Sequence, residues 1–299
     1  MMNLSKKVFV FFVFSALLIA ACSPKIDIAQ LRQKADSTYA SGQYDSALRI
    51  WQQIIAFKTK KNQPLEKYTL LEAGRSAYRA GKTDTALIYL EKLENTEYEN
   101  PEMYYLLAQS YRDIDNLSKE IMALEDYDSK FPRADRIEDV QLRLYDTYME
   151  SENYALAMEL WPEIEQQAAG NYELLKSYFR LNQKLDNASA VDSLARVILE
   201  IESNDTDALE YLGKKYYWKA ENHYNEAHEA YYANQTRTQY NKLLKELEKV
   251  TADFKRALEY FKVLYQFDPK PEYANYLGNI YARFDDDEKA KYYHNKAKE

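Results

Sequence analysis

Apolar residues recur at helical spacing along almost the whole chain beyond residue 30. Between 207 and 233, Tyr216, Ala220, Tyr224, Ala227 and Tyr231 keep one face apolar, and Tyr240, Leu243, Leu247, Val250 and Phe254 do the same further on. Steps of three and four place side chains on one face of a helix, so these stretches predict amphipathic helices. Breaks in the pattern are few. Gly42 and Gly81 separate neighbouring helices, and Pro101, Pro132, Pro269 and Pro271 separate larger segments. The pattern as a whole predicts an all-α fold of about fourteen helices.

The helices follow a recurring order. Gly42-Gln43-Tyr44-Asp45-Ser46-Ala47 lies between two periodic segments and leads to Trp51 and Ile54. Gly81-Lys82-Thr83-Asp84-Thr85-Ala86 leads in the same way to Leu90 and Leu93, and Glu152-Asn153-Tyr154-Ala155-Leu156-Ala157 to Trp161 and Ile164. The small-residue anchors fall at 47, 86, 120, 157, 190, 257 and 290, in steps of 39, 34, 37, 33, 67 and 33; Glu120 stands where the third anchor should be small, and Ala190 is the fifth. Leu212-Gly213, Tyr216, Ala257, Phe261 and Pro269 mark one unit, and Leu277-Gly278, Tyr281 and Ala290 the next. This arrangement resembles the tetratricopeptide repeat (TPR), a helix-turn-helix of 34 residues. The resemblance implies a TPR-like α-solenoid, a right-handed superhelix of about seven helix pairs. Small residues such as Ala47 and Gly213 would let the two helices of a unit approach. Trp51, Trp161 and Phe261 would fill the gap to the next unit. The step of 67 fits either a degenerate extra repeat or one repeat with both helices elongated. Beyond the repeat glycine Gly213, the stretch to Ala233 contains no further Gly, no Pro and no loop cluster. We therefore expect one elongated hairpin over 207–266, turning at Asn234-Gln235-Thr236. Its tip carries Arg237, Lys242, Lys245 and Lys249 against Glu246 and Glu248.

Composition agrees. The 299 residues include only 6 Gly and 7 Pro, about 4 % together against roughly 12 % on average, which argues against turn-rich all-β folds. The 29 Tyr, 11 Phe and 3 Trp supply enough aromatic area for a core. Most of the Tyr, and all three Trp, are expected to be repeat core.

The N-terminus adds an address. Lys6 and Lys7 precede an apolar run from Val8 to Ala20, too short to span a bilayer as a helix. Ile19-Ala20-Ala21-Cys22 resembles the lipobox of bacterial lipoproteins. By that resemblance residues 1–21 are a lipoprotein signal peptide, Cys22 carries the lipid, 22–29 form a lipidated N-terminal linker, and 30–299 form the TPR superhelical domain. Ser23 after the cysteine implies an outer-membrane lipoprotein, facing the periplasm. With its single Cys acylated the chain has neither a disulfide nor a thiol nucleophile.

Candidate chemistry is sparse. The formal net charge of −8 disfavours nucleic acid. His223 and His228 are five apart and fall on different helix faces, and His294 is isolated, so no metal site is expected. Six glycines supply no phosphate loop, and no cofactor is expected. Asp285-Asp286-Asp287 reads as a loop and a helix cap. Asp45-Ser46-Ala47 and Asp84-Thr85-Ala86 are two of four tripeptides resembling acceptors of a bacterial O-glycosylation system; helix capping by the Asp explains them equally well.

In TPR proteins the concave face is lined by the first helix of each unit, at positions 2, 5, 9 and 12. Carried over, these positions give Arg32 and Tyr39; Tyr68, Arg75 and Tyr78; Tyr105, Gln109 and Arg112; then Asp146, Phe179 and Asn182. Tyr39, Arg75, Tyr78, Tyr105, Gln109 and Arg112 are the candidate partner-binding residues, since Tyr and Arg are enriched in binding hot spots. Arg32 and Asp36 stand where the two-carboxylate clamp of chaperone-binding TPRs needs Lys and Asn, so that ligand is not implied. The overall plan implies a non-enzymatic, membrane-anchored scaffold that takes a protein or peptide partner in its groove and serves envelope complex assembly. The alternative is a glycan- or solute-binding outer-membrane lipoprotein, which exposed Trp platforms would favour.

Overall fold

The structure is a computed structural model that describes residues 27–299; the signal segment and Cys22 lie outside the described residues. Among the described residues there are fourteen α-helices and no strand. Up to Thr147 they form one compact unit, and Tyr148–Glu299 form a second. The first holds α1 (Ile28–Ala40), α2 (Tyr44–Lys60), α3 (Lys67–Arg79), α4 (Thr83–Leu90), α5 (Pro101–Asp113), α6 (Leu117–Lys130) and most of α7 (Ile137–Glu150). The second holds α8 (Tyr154–Ile164), α9 (Tyr172–Lys184), α10 (Ala188–Ile201), α11 (Thr206–Ala233), α12 (Arg237–Phe267), α13 (Pro271–Arg283) and α14 (Asp287–Lys296).

One turn is reused in six of the helix pairs. Gly42, Gly81, Asp115, Glu152, Asp186 and Asp285 all take positive φ, from 54° to 78°. Each ends the first helix of a unit in a left-handed residue. The next N–H then bonds back to a carbonyl five residues earlier, as in Lys82 to Ala77 at 2.9 Å and Asn116 to Tyr111 at 2.9 Å. This closing bond satisfies carbonyls that a helix end would leave orphaned. The donor residue also opens the next helix. Asn116, Asn187 and Asp286 then accept N–H bonds on their own side chains, so the expected cap in the Asp285–Asp287 run is Asp286. Asp45 and Asp84 do not cap: they sit inside the first turn of α2 and α4, after Gln43 and Lys82. Asp45 instead pairs with Arg49 and with Lys82 of the next turn.

The anchors are buried as the repeat requires. Ala47, Ala86, Ala157 and Ala257 are wholly inaccessible. Where glycine stands on the facing helix, a partner fills its space. A Cβ on Gly74 would lie 2.7 Å from Leu90, and one on Gly213 would lie 3.1 Å from the Phe261 ring. Trp51 packs edge-on to Tyr68, Trp161 stacks on Tyr178 with centroids 3.7 Å apart, and Phe261 stacks on Tyr276 at 4.4 Å. Each pair joins the second helix of a unit to the first helix of the next; contacts of this kind contribute about 0.5–1.5 kcal/mol beyond area burial. At the third anchor Glu120 is buried, and Arg143 meets its carboxylate at 2.7 and 3.0 Å. In the fifth unit the expected register is one residue short. Val191 is the buried anchor, while Ala190 is only half-buried.

The long step is one elongated repeat. α11 has 28 residues and α12 has 31, and they turn at 234–236. At 1.5 Å per residue each spans somewhat over 40 Å. Phe254, Ala257 and Phe261 pack at the base with Leu212 and Tyr216. Toward the tip, Tyr224, His228 and Tyr232 form a ladder with ring centroids 4.2 and 5.8 Å apart, and His223 meets Glu246 at 2.7 Å. Trp51 and Trp161 are core as expected, but Trp218 is not. It stands 53 % exposed on α11, because the helix places it one position past the buried Tyr217.

Candidate binding site

The inward positions of the first helices are largely spent on links between successive units. Arg75 of α3 lies over the Tyr39 ring of α1, 4.8 Å from its centroid. Its Nε donates to Glu102 of α5 at 2.9 Å, and Glu72 lies at 3.4 Å. Burial works against the Arg75 charge, but Glu102 and Glu72 outweigh it and raise its pKa; burial also raises that of Glu72. Tyr39 and Arg75 are thus brought together, as partners of each other. Tyr68 donates to Asp36 at 3.2 Å, with its pKa pushed up to about 12 by burial and by the Glu72 and Asp36 carboxylates. Arg32 pairs with Glu66.

Beside this chain of links lies a cavity of about 520 Å³. Tyr78 and Arg79 enter it from the last turn of α3. Pro101, Glu102, Tyr105 and Leu106 come from α5, Tyr127 from α6, and Ala134, Asp135 and Arg136 from the loop before α7. The Arg136 guanidinium lies over the Tyr105 ring, 4.5 Å from its centroid. Burial raises the pKa of Tyr127 and of Tyr78, the latter also through Asp113. Tyr78 and Tyr127 therefore remain neutral hydroxyls at the cavity, beside an apolar floor of Pro101, Leu106 and Ala134. A concave, largely apolar wall with a few fixed polar groups is the usual form of a ligand pocket.

Of the six candidate residues, Tyr78 and Tyr105 line this cavity. Gln109 is half-buried and Arg112 exposed, and neither is part of the lining. Glu102 occupies the second position of the same α5 register and was legible by the rule that selects Tyr105. Arg136 and Tyr127 were not, because a loop and a second helix supply them.

In the second unit the groove assignment needs correction. Phe179 and Asn182 are fully buried; Phe179 belongs to the core and Asn182 bonds to the Tyr178 carbonyl at 2.8 Å. The register slip at Val191 explains this. One residue on, Lys176, Arg180 and Gln183 take the inward positions, and Arg180 reaches Asp207 at 2.9 Å. Gln183 joins Asp207, Tyr211, Lys214 and the exposed Trp218 around a second cavity of about 450 Å³.

No protein-family profile and no curated protein matches the chain. Solved structures do. A candidate protein-binding protein of Bacteroides ovatus is 19 % identical over 74 % of this chain and 98 % of its own, with a TM-score of 0.50. A tetratricopeptide repeat protein of Parabacteroides merdae is 15 % identical over 90 % of this chain and 91 % of its own, at a TM-score of 0.44. A TPR repeats protein of Bacteroides fragilis is 17 % identical over 86 % and 98 %, at 0.35. The helix order, the reused turn and the buried anchors make this protein a TPR-like α-solenoid.

Proposed function

We propose that the chain is a non-enzymatic scaffold, tethered to an outer membrane through a lipid on Cys22, facing the periplasm, and docking a protein or peptide partner during envelope complex assembly. The observation that carries this reading is the cavity at Tyr78, Tyr105, Tyr127 and Arg136. It combines aromatic walls with guanidinium and hydroxyl donors, the composition of protein-binding hot spots. The acidic charge of the chain speaks against nucleic acid as the ligand. A photo-crosslinking amino acid at position 105 should capture a partner in cells, and one at the exposed Met122 on α6 should not. Equal labelling from both positions overturns the docking reading. The anchor is tested separately: Cys22→Ala should abolish incorporation of a clickable palmitate and release the protein from membranes.

A second reading rests on Trp218. An exposed indole beside Gln183 and Tyr211 is the arrangement on which a sugar ring stacks, and it favours glycan or solute binding in the second unit. Quenching of tryptophan fluorescence by oligosaccharides, lost in Trp218→Ala, supports it. No quenching by any of them removes it.

A further inference from the structure

The arginines of this chain divide unevenly. Eight of them are engaged in ion pairs. Among the described residues Arg79, Arg112, Arg133, Arg136 and Arg237 form none. Four of these five lie between α3 and the start of α7, and Arg79 and Arg136 line the same cavity. An acidic protein has carboxylates to spare, so unpaired guanidiniums gathered at one cavity call for a ligand charge.

Within the cavity the carboxylates do not fill that role. Glu102 is already held by Arg75 at 2.9 Å, and the exposed Asp135 forms no ion pair among the described residues. Arg136 is fixed over Tyr105, which holds one face of its guanidinium against the ring and leaves its N–H edge for a planar acceptor. Tyr78 and Tyr127 add hydroxyls that burial keeps protonated. Pro101, Leu106 and Ala134 supply an apolar floor beside the charge.

We infer that this cavity binds an acidic peptide segment, in which a carboxylate meets Arg79 and Arg136 while a neighbouring apolar side chain sits on Leu106 between the tyrosines. The inference rests on the docking reading above and names the chemistry of its ligand. The length fits: about 520 Å³ holds two or three side chains of an extended segment.

The test is fluorescence anisotropy with the full-length chain in neutral detergent. Three labelled decapeptides share Leu and Tyr at alternate positions and carry Glu, Gln or Lys at the others. The Glu peptide should bind at least about tenfold more tightly than the Gln peptide, and more weakly as salt rises. Arg79→Gln with Arg136→Gln should erase that difference; both side chains are exposed, and an unchanged circular dichroism spectrum verifies the fold. Gln or Lys peptides that bind as well as Glu, with binding lost in Ala134→Trp at the half-buried loop wall of the cavity, overturn the acidic assignment and leave docking at the cavity intact. Glu-peptide binding that is unchanged in the double variant also overturns it. Failure of all three peptides, together with no partner crosslinked at position 105, overturns the docking reading itself.

Discussion

Arg143 of α7 grips the buried carboxylate of Glu120 in α6 with two guanidinium nitrogens, at 2.7 and 3.0 Å. The pair stands where the repeat otherwise places a small residue. Removing one partner of a buried pair strands the other charge. Arg143→Met should therefore cost about 3–5 kcal/mol in urea unfolding, and adding Glu120→Ala should recover most of it. A single variant as stable as the parent would show that the carboxylate is not held there.

Asp205 caps α11 through Ala208 N–H at 2.8 Å and also accepts from Tyr172 Oη and Lys176 Nζ, each at 2.6 Å. Burial alone would raise its pKa, but these partners outweigh it and hold the carboxyl below its usual range. The folded value lies below the unfolded one, near 3.9, so the contribution is full above about pH 4 and is lost as pH falls through the folded value. Urea midpoints measured from pH 6 down to pH 2 should fall more steeply for the parent than for Asp205→Asn, which keeps the cap. Parallel curves would remove Asp205 from the acid response.

Gly74 admits Leu90 of the paired helix so closely that a side chain there overlaps it. Gly74→Val should cost about 1–3 kcal/mol by overpacking, read as a lower thermal midpoint, with partial recovery in Gly74→Val with Leu90→Ala. If Leu90→Ala brings no recovery, the clash lies elsewhere.

Glu152 holds φ at 59° where two sister turns have glycine. Relieving that backbone should make Glu152→Gly more stable by up to about 1 kcal/mol, and Gly81→Ala, at φ 71°, less stable by a similar amount. Denaturant titrations that move in the opposite directions would contradict the shared turn.

The tip of the α11–α12 hairpin carries little of the core. Replacing residues 230–245 by a short Gly-Asn turn should leave helicity per residue and cooperative unfolding intact, since Ala220, Val250 and Phe254 are retained. Collapse to a non-cooperative state would mean the tip is part of the folding core.

Much of this fold was legible because the repeat writes its closest contacts into residue size. Ala47, Ala86 and Gly213 mark helix crossings, and Trp51, Trp161 and Phe261 mark the joints to the next unit. Legibility failed where the anchor is not small. Val191 was passed over for Ala190, and that one-residue slip put the buried Phe179 and Asn182 into the groove in place of Arg180 and Gln183. At the candidate site, Tyr78 and Tyr105 follow from helix register alone. That Arg75 is taken by Glu102, and that Arg136 arrives from a loop to cover Tyr105, depends on which carboxylate is nearer and how the chain re-enters. Periodicity carries neither fact. Trp218 shows the reverse error: residue type suggested core, but rotation about the helix axis puts it outside.

The reused turn divides the chain into rigid and adjustable lengths. Ile28 to Gly42, Lys67 to Gly81, Pro101 to Asp115, Tyr172 to Asp186 and Pro271 to Asp285 are the same fourteen-residue interval. One residue ends a helix and its neighbour starts the next, so this interval has no slack. Apart from the elongated α11 and from α7, whose interval from Ile137 to Glu152 is fifteen, the unevenness of the repeat steps falls in the second helix and in the connection after it. Insertions and deletions are therefore tolerable at connections such as 63–65 and 96–98, and ruinous at the left-handed turns that join the two helices of a unit. Genetic variation, loop grafting and tag insertion should all respect that boundary.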